Sequence, residues 1–483
     1  MKVMAAFHSA FRTLALISCA VLAHAQATGE PGRLVRLKVT AVESNGQPAS
    51  GLAADDFQII DQGKPQKVAL IRGAAQMGGT ASREYSNRPA PGSHTSIILF
   101  DFLATSRAER LDASRKLGVS LKQLPSGESV YLYVLAPDGK IVPLHEMPKD
   151  PGSAPDKMWN SEAEKMLAGV VKSQNKDRPM GMSQEDVVKK TYVALETLAN
   201  QLSAFPGRKD IVWITTAVPY VMNPQIECKA DWWDCTLYVP HLMVTLEYAG
   251  VTVDPFSYIS LAVDASRTAD DFAGLNGGSS YLNRDLADVL KEFGSQAGTY
   301  AIAYAPAADN WDSKFHRVKV TCERKGVKLQ ARQHYYALPD QRPADARRQG
   351  LMVAAYQSSS DVSDIGLRAA AVPAGAPNTL RIEVRVDPAD LLLQQDAGQY
   401  SGRVTLLLSA RAASGPQGEP TLSDVDVHLT REQYNAALKD GVLISKDYPI
   451  DSATQKVRLI VSDLRTDSIG SLTIPVTPAP AQK

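Results

Sequence analysis

The sequence at residues 96–101 reads Ser-Ile-Ile-Leu-Phe-Asp, an unbroken apolar run that ends in an acid. A strand that is apolar along its whole length, and not only at alternate positions, is typical of a parallel sheet covered by helices on both faces. The stretch therefore predicts a central strand of an α/β sheet. In such sheets ligands bind where the strands reach their carboxyl ends, so Asp101 is expected at this edge, which we call the rim.

Downstream of this strand, helix-like and strand-like stretches alternate through residue 298. Stretches with apolar residues at helical spacing come between shorter apolar runs, and turn-forming residues lie at the ends of these runs. This alternation predicts a doubly wound, mostly parallel α/β domain over residues 95–298, with Thr216 also on the rim. Its further elements are predicted to be strands at 129–135, 210–215 and 251–253, and helices at 111–121, 184–202, 242–248 and 284–293.

The residues on either side of this domain are predicted to form β structure. Short alternating runs separated by Asn45-Gly46 and Asp61-Gln-Gly63 turns predict antiparallel strands in an N-terminal segment. Because a lone hairpin is marginal in water, we expect these strands to pair with those that follow the α/β domain, forming one β-sandwich in which that domain is inserted. The predicted segments are N-terminal strands at 26–74, a linker at 75–94, the returning strands at 299–338, a second linker at 339–378, an all-β domain at 379–474 and a disordered tail at 475–483.

The first 25 residues predict export. Lys2 and Arg12 precede an apolar run that closes on Ala23-His24-Ala25, the pattern of a secretory signal peptide, and the expected location is periplasmic or extracellular. A lipid anchor at Cys19 is the alternative, which we disfavour because the apolar run continues beyond it. No other stretch is long and apolar enough to span a bilayer. Basic and acidic residues balance at 52 each, which argues against nucleic acid as a partner.

Three cysteines follow the predicted signal peptide. Cys228 and Cys235 flank a short loop, and in an oxidising compartment a disulfide is their expected state. Metal binding is the alternative, although no histidine or third cysteine lies near them. Cys322 shares strand parity with Val318 and Val320 and is predicted to be a buried thiol.

Five stretches between Arg33 and Tyr336 form an ordered series. They are Asn45-Gly-Gln-Pro with Gly51–Phe57 and Asp61–Gly63, then Ile97–Asp101, Thr191–Leu195, Pro206-Gly-Arg-Lys209 with Ile211–Trp213, and Tyr300–Tyr304. In this order they resemble bacterial exported proteins that carry a domain related to von Willebrand factor type A. The Pro-Gly-Arg-Lys run before a Val-Trp strand is the most specific of the five. Residues from about 339 onward lie outside the resemblance.

The resemblance implies a divalent-cation site on the rim. Type A domains typically hold Mg²⁺ with an Asp-x-Ser-x-Ser motif after the first strand, a Thr from a second loop and an Asp from a third. The corresponding residues here are Asp101 and Thr105, then Thr191, then Thr216. Leu103 offers no oxygen and Thr216 no carboxylate, so the site is expected to be degenerate and to bind Mg²⁺ weakly. The alternative, which we favour, is that Asp101 and Thr105 cap the following helix.

The loop after Pro219 is a second feature of the predicted rim. It carries Tyr220, Trp232, Trp233 and Tyr238, and the predicted Cys228–Cys235 bond would enclose both tryptophans. Rigid, exposed aromatic side chains are common in binding hot spots, so these four aromatic residues are the predicted partner-binding residues. The alternative is that the tryptophans pack onto the domain as a lid.

The sequence contains no paired-histidine zinc motif, nucleophile elbow, phosphate loop or dinucleotide fingerprint. We therefore predict that the protein is not an enzyme. The predicted function is an adhesion-type interaction module that contacts a protein partner with the rim. The alternative is a secreted hydrolase or polysaccharide-binding protein in which Trp232 and Trp233 stack on sugar rings.

Overall fold

The computed structural model describes residues 33–73, 84–88, 94–124, 129–148, 159–203, 205, 208–218, 238–259, 261, 263–294, 299–307, 310–340, 342–358, 361–413 and 415–476. Several sequence predictions lie outside these residues: the signal peptide, Cys19, Tyr220, Trp232, Trp233 and the Cys228–Cys235 disulfide. Within the described part of the chain, no helix combines the length and the apolar composition needed to cross a membrane.

The strands are β1 (Val35–Glu43), β2 (Phe57–Asp61), β3 (Lys64–Gln66), β4 (Leu70–Arg72), β5 (Tyr85–Ser86), β6 (His94–Asp101), β7 (Val130–Leu135), β8 (Ile141–His145), β9 (Arg208–Ile214), β10 (Val251–Ser257), β11 (Tyr281–Leu282), β12 (Thr299–Tyr304), β13 (Phe315–Cys322), β14 (Val327–Ala331), β15 (His334–Tyr336), β16 (Leu367–Pro373), β17 (Thr379–Val386), β18 (Gln394–Asp396), β19 (Gln399–Ala412), β20 (Gly415–Thr430), β21 (Val442–Pro449), β22 (Lys456–Asp463) and β23 (Ile469–Pro475). The helices are α1 (Arg107–Lys122), α2 (Trp159–Gln174), α3 (Gln184–Leu202), α4 (Tyr238–Ala249), α5 (Val263–Asn276), α6 (Leu286–Gly294), α7 (Ala344–Gln357) and α8 (Arg431–Asp440).

A six-stranded sheet forms the centre of the α/β unit, in the order β11-β10-β9-β6-β7-β8. Neighbouring strands run parallel, except that β8 pairs antiparallel with β7 at one edge. With β6 counted as the first strand, this is the doubly wound order 3-2-1-4-5-6. The direction of progress along the sheet reverses between β6 and β9, and such sheets bind ligands at the carboxyl ends of the strands beside that reversal.

Alternate side chains of β6 enter two separate hydrophobic cores. Ile97 and Leu99 belong to the core beneath α3, α4 and α5, whereas Ile98 and Phe100 belong to the core beneath α1, α2 and α6. All four side chains are fully buried. Both faces of the sheet are therefore covered, which explains why residues 97–100 are apolar at consecutive positions.

Strands from before and after the α/β unit form two antiparallel sheets. In one, β1 lies between β12 and β14, with β4 beyond β12; in the other, β13 lies between β2 and β15, with β3 beyond β2. Their apolar side chains share one hydrophobic core. In sequence, the α/β unit is thus inserted between the strands of this first β unit.

Cys322 was predicted to be a buried thiol; it is half-buried and forms no disulfide. It is the last residue of β13 and pairs with Phe57 at the start of β2. Strand parity identified the correct face, since Cys322 packs against the shared core. Parity gives no information on depth, and the end of a strand lies at the margin of that core.

The remaining strands form a second β unit from two sheets, β21-β17-β16-β5 and β18-β19-β22-β23, with β20 added on β19. The stretch 339–378, expected to be a linker, contains α7 and β16, and the expected linker at 75–94 contributes β5, which pairs with β16. Strand β16 reads Leu-Arg-Ala-Ala-Ala-Val-Pro, and alanine is uncommon in strands. Pairing with β17 and burial of Leu367 and Ala369 override that preference. Strand β23 includes Pro475, the first residue of the expected disordered tail.

Candidate functional site

The rim consists of the residues that follow three neighbouring strands. Asp101 is the last residue of β6, Thr215 and Thr216 follow β9, and Ser257 ends β10. Strand β9 lies between β6 and β10. The three turns are therefore adjacent at the carboxyl edge of the sheet, beside the point between β6 and β9 where the strand order reverses.

Asp101 is fully buried and its carboxylate accepts three hydrogen bonds. Oδ1 accepts from the backbone N–H of Ala104 at 2.9 Å, and Oδ2 accepts from the Trp213 indole at 3.0 Å and from the Thr215 hydroxyl at 3.3 Å. Burial raises the pKa of Asp101 to about 6, although these hydrogen bonds act in the opposite direction. Asp101 thus joins the turn after β6 to the end of β9.

Arg110 places a buried positive charge behind the same turn. Its Nε donates to the carbonyl of Thr105 at 2.9 Å, one terminal nitrogen donates to the carbonyl of Lys176 at 2.7 Å, and the other donates to the carbonyl of Phe102. Burial lowers the pKa of Arg110, while the negative charge of Asp101 raises it. The side chain therefore fixes the loop between β6 and α1 from inside the protein.

The three threonines of the predicted metal site have different surroundings. Thr105 is 4% exposed, and its hydroxyl forms no hydrogen bond with any described residue. The hydroxyl of Thr216 lies 3.5 Å from a carboxylate oxygen of Glu109. The hydroxyl of Thr191 donates to the carbonyl of Val187, one turn earlier in α3, at 2.9 Å. Thr105 and Thr216 thus belong to the rim, whereas the hydroxyl of Thr191 is engaged within its own helix.

The residue that caps α1 is Ser106, which corrects the expectation that Asp101 and Thr105 cap this helix. The Ser106 hydroxyl accepts from the N–H of Glu109 at 3.4 Å, and the Glu109 carboxylate accepts from the N–H of Ser106 at 3.0 Å. This reciprocal pair is a capping box. Leu103, which occupies a ligand position in the resemblance, is 1% exposed and packs in the core beneath α3.

The oxygen atoms of the rim do not fit a divalent cation well. Mg²⁺ takes near-octahedral oxygen ligands and is usually held by one or two carboxylates. Asp101 is the one carboxylate of the predicted set, and three protein donors already bind its two oxygens. Within the described ranges, no group of three or more His, Cys, Asp or Glu residues is arranged to hold a metal ion.

A cavity of about 200 Å³ opens on the rim, between the first turns of α1 and the carboxyl ends of β6, β9 and β10. Apolar side chains form much of its wall, and acidic and hydroxyl groups complete it. The wall includes the apolar residues Phe100, Ile214 and Ile259, the acidic residues Glu109 and Asp112, and the hydroxyl residues Thr105 and Thr216.

Sequence reasoning placed Asp101, Thr105 and Thr216 on the rim but missed Trp213 and Arg110, which hydrogen-bond to Asp101 and to the carbonyl of Thr105. The sequence could have indicated the role of Trp213, because a buried indole N–H usually needs an acceptor. It gave no indication of the role of Arg110, since arginine on an amphipathic helix is ordinarily exposed.

Tyr238, the one described member of the predicted partner-binding set, packs onto the protein. It is the first residue of α4 and is half-buried against the core beneath that helix. Its ring stacks on the buried ring of Tyr192, with centroids 6.1 Å apart and planes at 6°. Tyr238 thus contributes to the attachment of α4 to α3, unlike the partner-facing side chain that was expected.

No family model matches the sequence, and no curated protein matches it either. Solved structures that resemble it include the human COPII-coat protein Sec24c, at 12% identity and a TM-score of 0.27, over 53% of this chain and 45% of that chain. Another is the N-terminal domain of TFIIH p34, at 12% identity and a TM-score of 0.25, over 43% of this chain and 98% of that one. A third is the pilus adhesin SpaC from Lactobacillus rhamnosus GG, at 10% identity and a TM-score of 0.28, over 86% of this chain and 57% of that one. The chain thus spans about half the length of the Sec24c and SpaC chains.

Proposed function

We propose that the chain is an exported protein-interaction module whose α/β unit is like a von Willebrand factor type A domain and binds a protein partner at the rim. The observation that carries the proposal is the rim cavity, which opens where doubly wound sheets bind their ligands. Ile259, in the wall of the cavity, is 36% exposed, so part of the apolar wall is open to solvent. Exposed apolar surface rimmed by polar residues is typical of interaction sites.

We further propose that this contact is independent of a metal ion and that the protein is not an enzyme. The carboxylate of Asp101 is already bound by three protein donors. The buried guanidinium of Arg110 supplies a permanent positive charge near it. The partner would therefore contact the wall of the cavity, with no bridging cation.

Partner capture from envelope extract tests the proposal. Ala217 is exposed on the loop after β9, so Ala217→Arg should fold normally and place a bulky charge on the rim. Ala168→Arg, exposed on α2, is the matched control. We expect wild type and Ala168→Arg to retain the same protein and Ala217→Arg to lose it, with no effect of Mg²⁺ or EDTA. A Trp232→Ala/Trp233→Ala variant extends the test to the loop after Pro219.

Two outcomes would contradict the proposal. Equal capture by Ala217→Arg and wild type would show that the partner does not bind the rim. Loss of capture in EDTA, restored by Mg²⁺, would show that the contact needs a metal ion.

A further inference from the structure

We propose that the rim cavity receives a lysine side chain from the partner, an inference that rests on the proposed function and specifies its chemistry. Three properties of the cavity support it: apolar side chains in its wall, acidic side chains in its wall, and a buried hydroxyl that forms no hydrogen bond with a described residue. The first matches the aliphatic stem of lysine, and the other two match its ammonium group.

The interior of the cavity suits an aliphatic stem. Phe100 and Ile214 are buried wall residues that belong to the core beneath α1, and Ile259 lies at the exposed margin. The volume is about 200 Å³, and a cavity of about 150 Å³ is large enough for benzene. Lysine commonly lays its methylene chain along apolar surface while its charged end stays among polar groups.

The charged residues of the wall are acidic. Glu109 and Asp112 come from the first turns of α1, and Glu109 lies 3.5 Å from the Thr216 hydroxyl. Asp112 pairs with Lys116 at 2.8 Å, but both side chains are about half exposed, and such surface pairs are weak. The wall of the cavity therefore attracts a cation and repels a carboxylate.

The Thr105 hydroxyl is the third property. It lies on the cavity wall, is 4% exposed, and forms no hydrogen bond with a described residue. A buried hydroxyl without a partner costs folding free energy. An ammonium group carries three donors and no acceptor, so it can hydrogen-bond to hydroxyl and carboxylate oxygens of the wall, such as those of Thr105 and Glu109.

The direct test titrates the full mature chain with Nα-acetyl-lysine N-methylamide and follows the ¹³C-labelled methyl groups of Ile214 and Ile259 by NMR. The norleucine derivative, with a similar stem and no charge, is the matched ligand. Glu109→Gln removes the charge but keeps a residue that can close the capping box. Glu185→Gln, in the first turn of α3, is the matched control variant.

We expect the lysine derivative to shift both methyl signals. The norleucine derivative and the Glu109→Gln variant should each bind about two- to fivefold more weakly, as for loss of one solvent-accessible ion pair. Glu185→Gln should behave as wild type. Equal binding of the lysine and norleucine derivatives, tighter binding of the arginine derivative, or no shift at all would overturn the lysine assignment.

Partner capture separates this inference from the proposed function. Acetylation of lysines in the extract removes their charge and should reduce the yield of partner captured by the wild-type chain. If Ala217→Arg loses the partner but acetylation and Glu109→Gln leave the yield unchanged, the lysine inference is wrong and the rim remains the contact face. If the lysine derivative binds but Ala217→Arg retains the partner, the proposed function is wrong, while the inference that the cavity binds a lysine side chain is supported.

Discussion

At the scale of single residues, the rim is organised by Asp101. A buried carboxylate is costly unless it is hydrogen-bonded, and its three donors come from the turn after β6 and from the end of β9. Asp101 therefore acts as a structural acceptor. Its raised pKa makes this role measurable.

Asp101→Asn should flatten part of the pH dependence of stability. The pKa of Asp101 is about 6 in the folded protein and about 3.9 in an unfolded chain. As the pH rises between these values, the unfolded chain loses this proton before the folded protein does. The contribution of Asp101 to the free energy of unfolding thus falls by about 3 kcal/mol across that window.

Urea denaturation at about pH 4 and about pH 7 tests this prediction. The difference in the free energy of unfolding between wild type and Asp101→Asn should change between these two pH values. Asp112→Asn, at an exposed carboxyl on the same rim, is the control and should leave the pH dependence of wild type intact. A constant difference between wild type and Asp101→Asn would show that folding does not raise the pKa of Asp101.

Arg110→Met should destabilise the protein by at least about 2 kcal/mol, because three backbone carbonyls lose a buried donor. Methionine retains much of the side-chain length, so the loss is mainly one of hydrogen bonds and charge. Arg115→Met, at an exposed position of the same helix, should change the free energy of unfolding by less than about 0.5 kcal/mol. Equal effects in urea denaturation would mean that Arg110 does not hold the loop.

At the scale of elements, α3 and β16 show what local sequence can predict. The predicted helix at 184–202 coincides with α3, because its apolar residues recur at helical spacing and Ser183 caps its first turn. Strand β16 was missed, because Ala369-Ala370-Ala371 has no strand-like pattern. Its conformation depends on pairing with β17, which follows after a short turn, and with β5, which is distant in sequence.

The candidate site likewise contains residues whose positions the local sequence predicts and residues whose positions it does not. Asp101 could be predicted because an acid at the end of an apolar strand must lie at the carboxyl edge of the sheet. The contribution of Glu109 could not, because its position beside Thr216 depends on how α1 packs over β9. The acidic part of the cavity wall is thus a tertiary property, even though Glu109 and Asp112 both belong to α1.

At the scale of the whole molecule, a buried ionic cluster joins the two β units. Arg72 ends β4 in the first β unit, and its Nη1 lies 2.8 Å from Oδ1 of Asp390, which is 4% exposed and follows β17 in the second. Arg88, after β5, also contacts Asp390, and Gly366 donates its N–H to the same carboxylate at 2.8 Å. Burial opposes ionisation of Asp390, but Arg72 and Arg88 outweigh it and lower its pKa.

Asp390→Asn should therefore weaken the attachment between the β units. Two partly buried guanidinium groups would lose the buried carboxylate that they share, and removal of one partner from a buried ion pair typically costs about 3–5 kcal/mol. Asp447→Asn is the matched control, because Asp447 pairs with Arg381 at 2.9 Å with both side chains about half exposed. Such a surface pair should contribute less than about 1 kcal/mol.

Urea denaturation combined with limited trypsin digestion tests the joint. We expect Asp390→Asn to separate one unfolding transition into two and to expose the connection at 339–366 to cleavage, while Asp447→Asn follows the wild-type curve. The reason is that Asp390 contacts segments of both units. Its loss should therefore weaken the contact between the units more than it destabilises the core of either one. A single transition, shifted equally in both variants, would mean that apolar contacts hold the units together and that the cluster only fills the space between them.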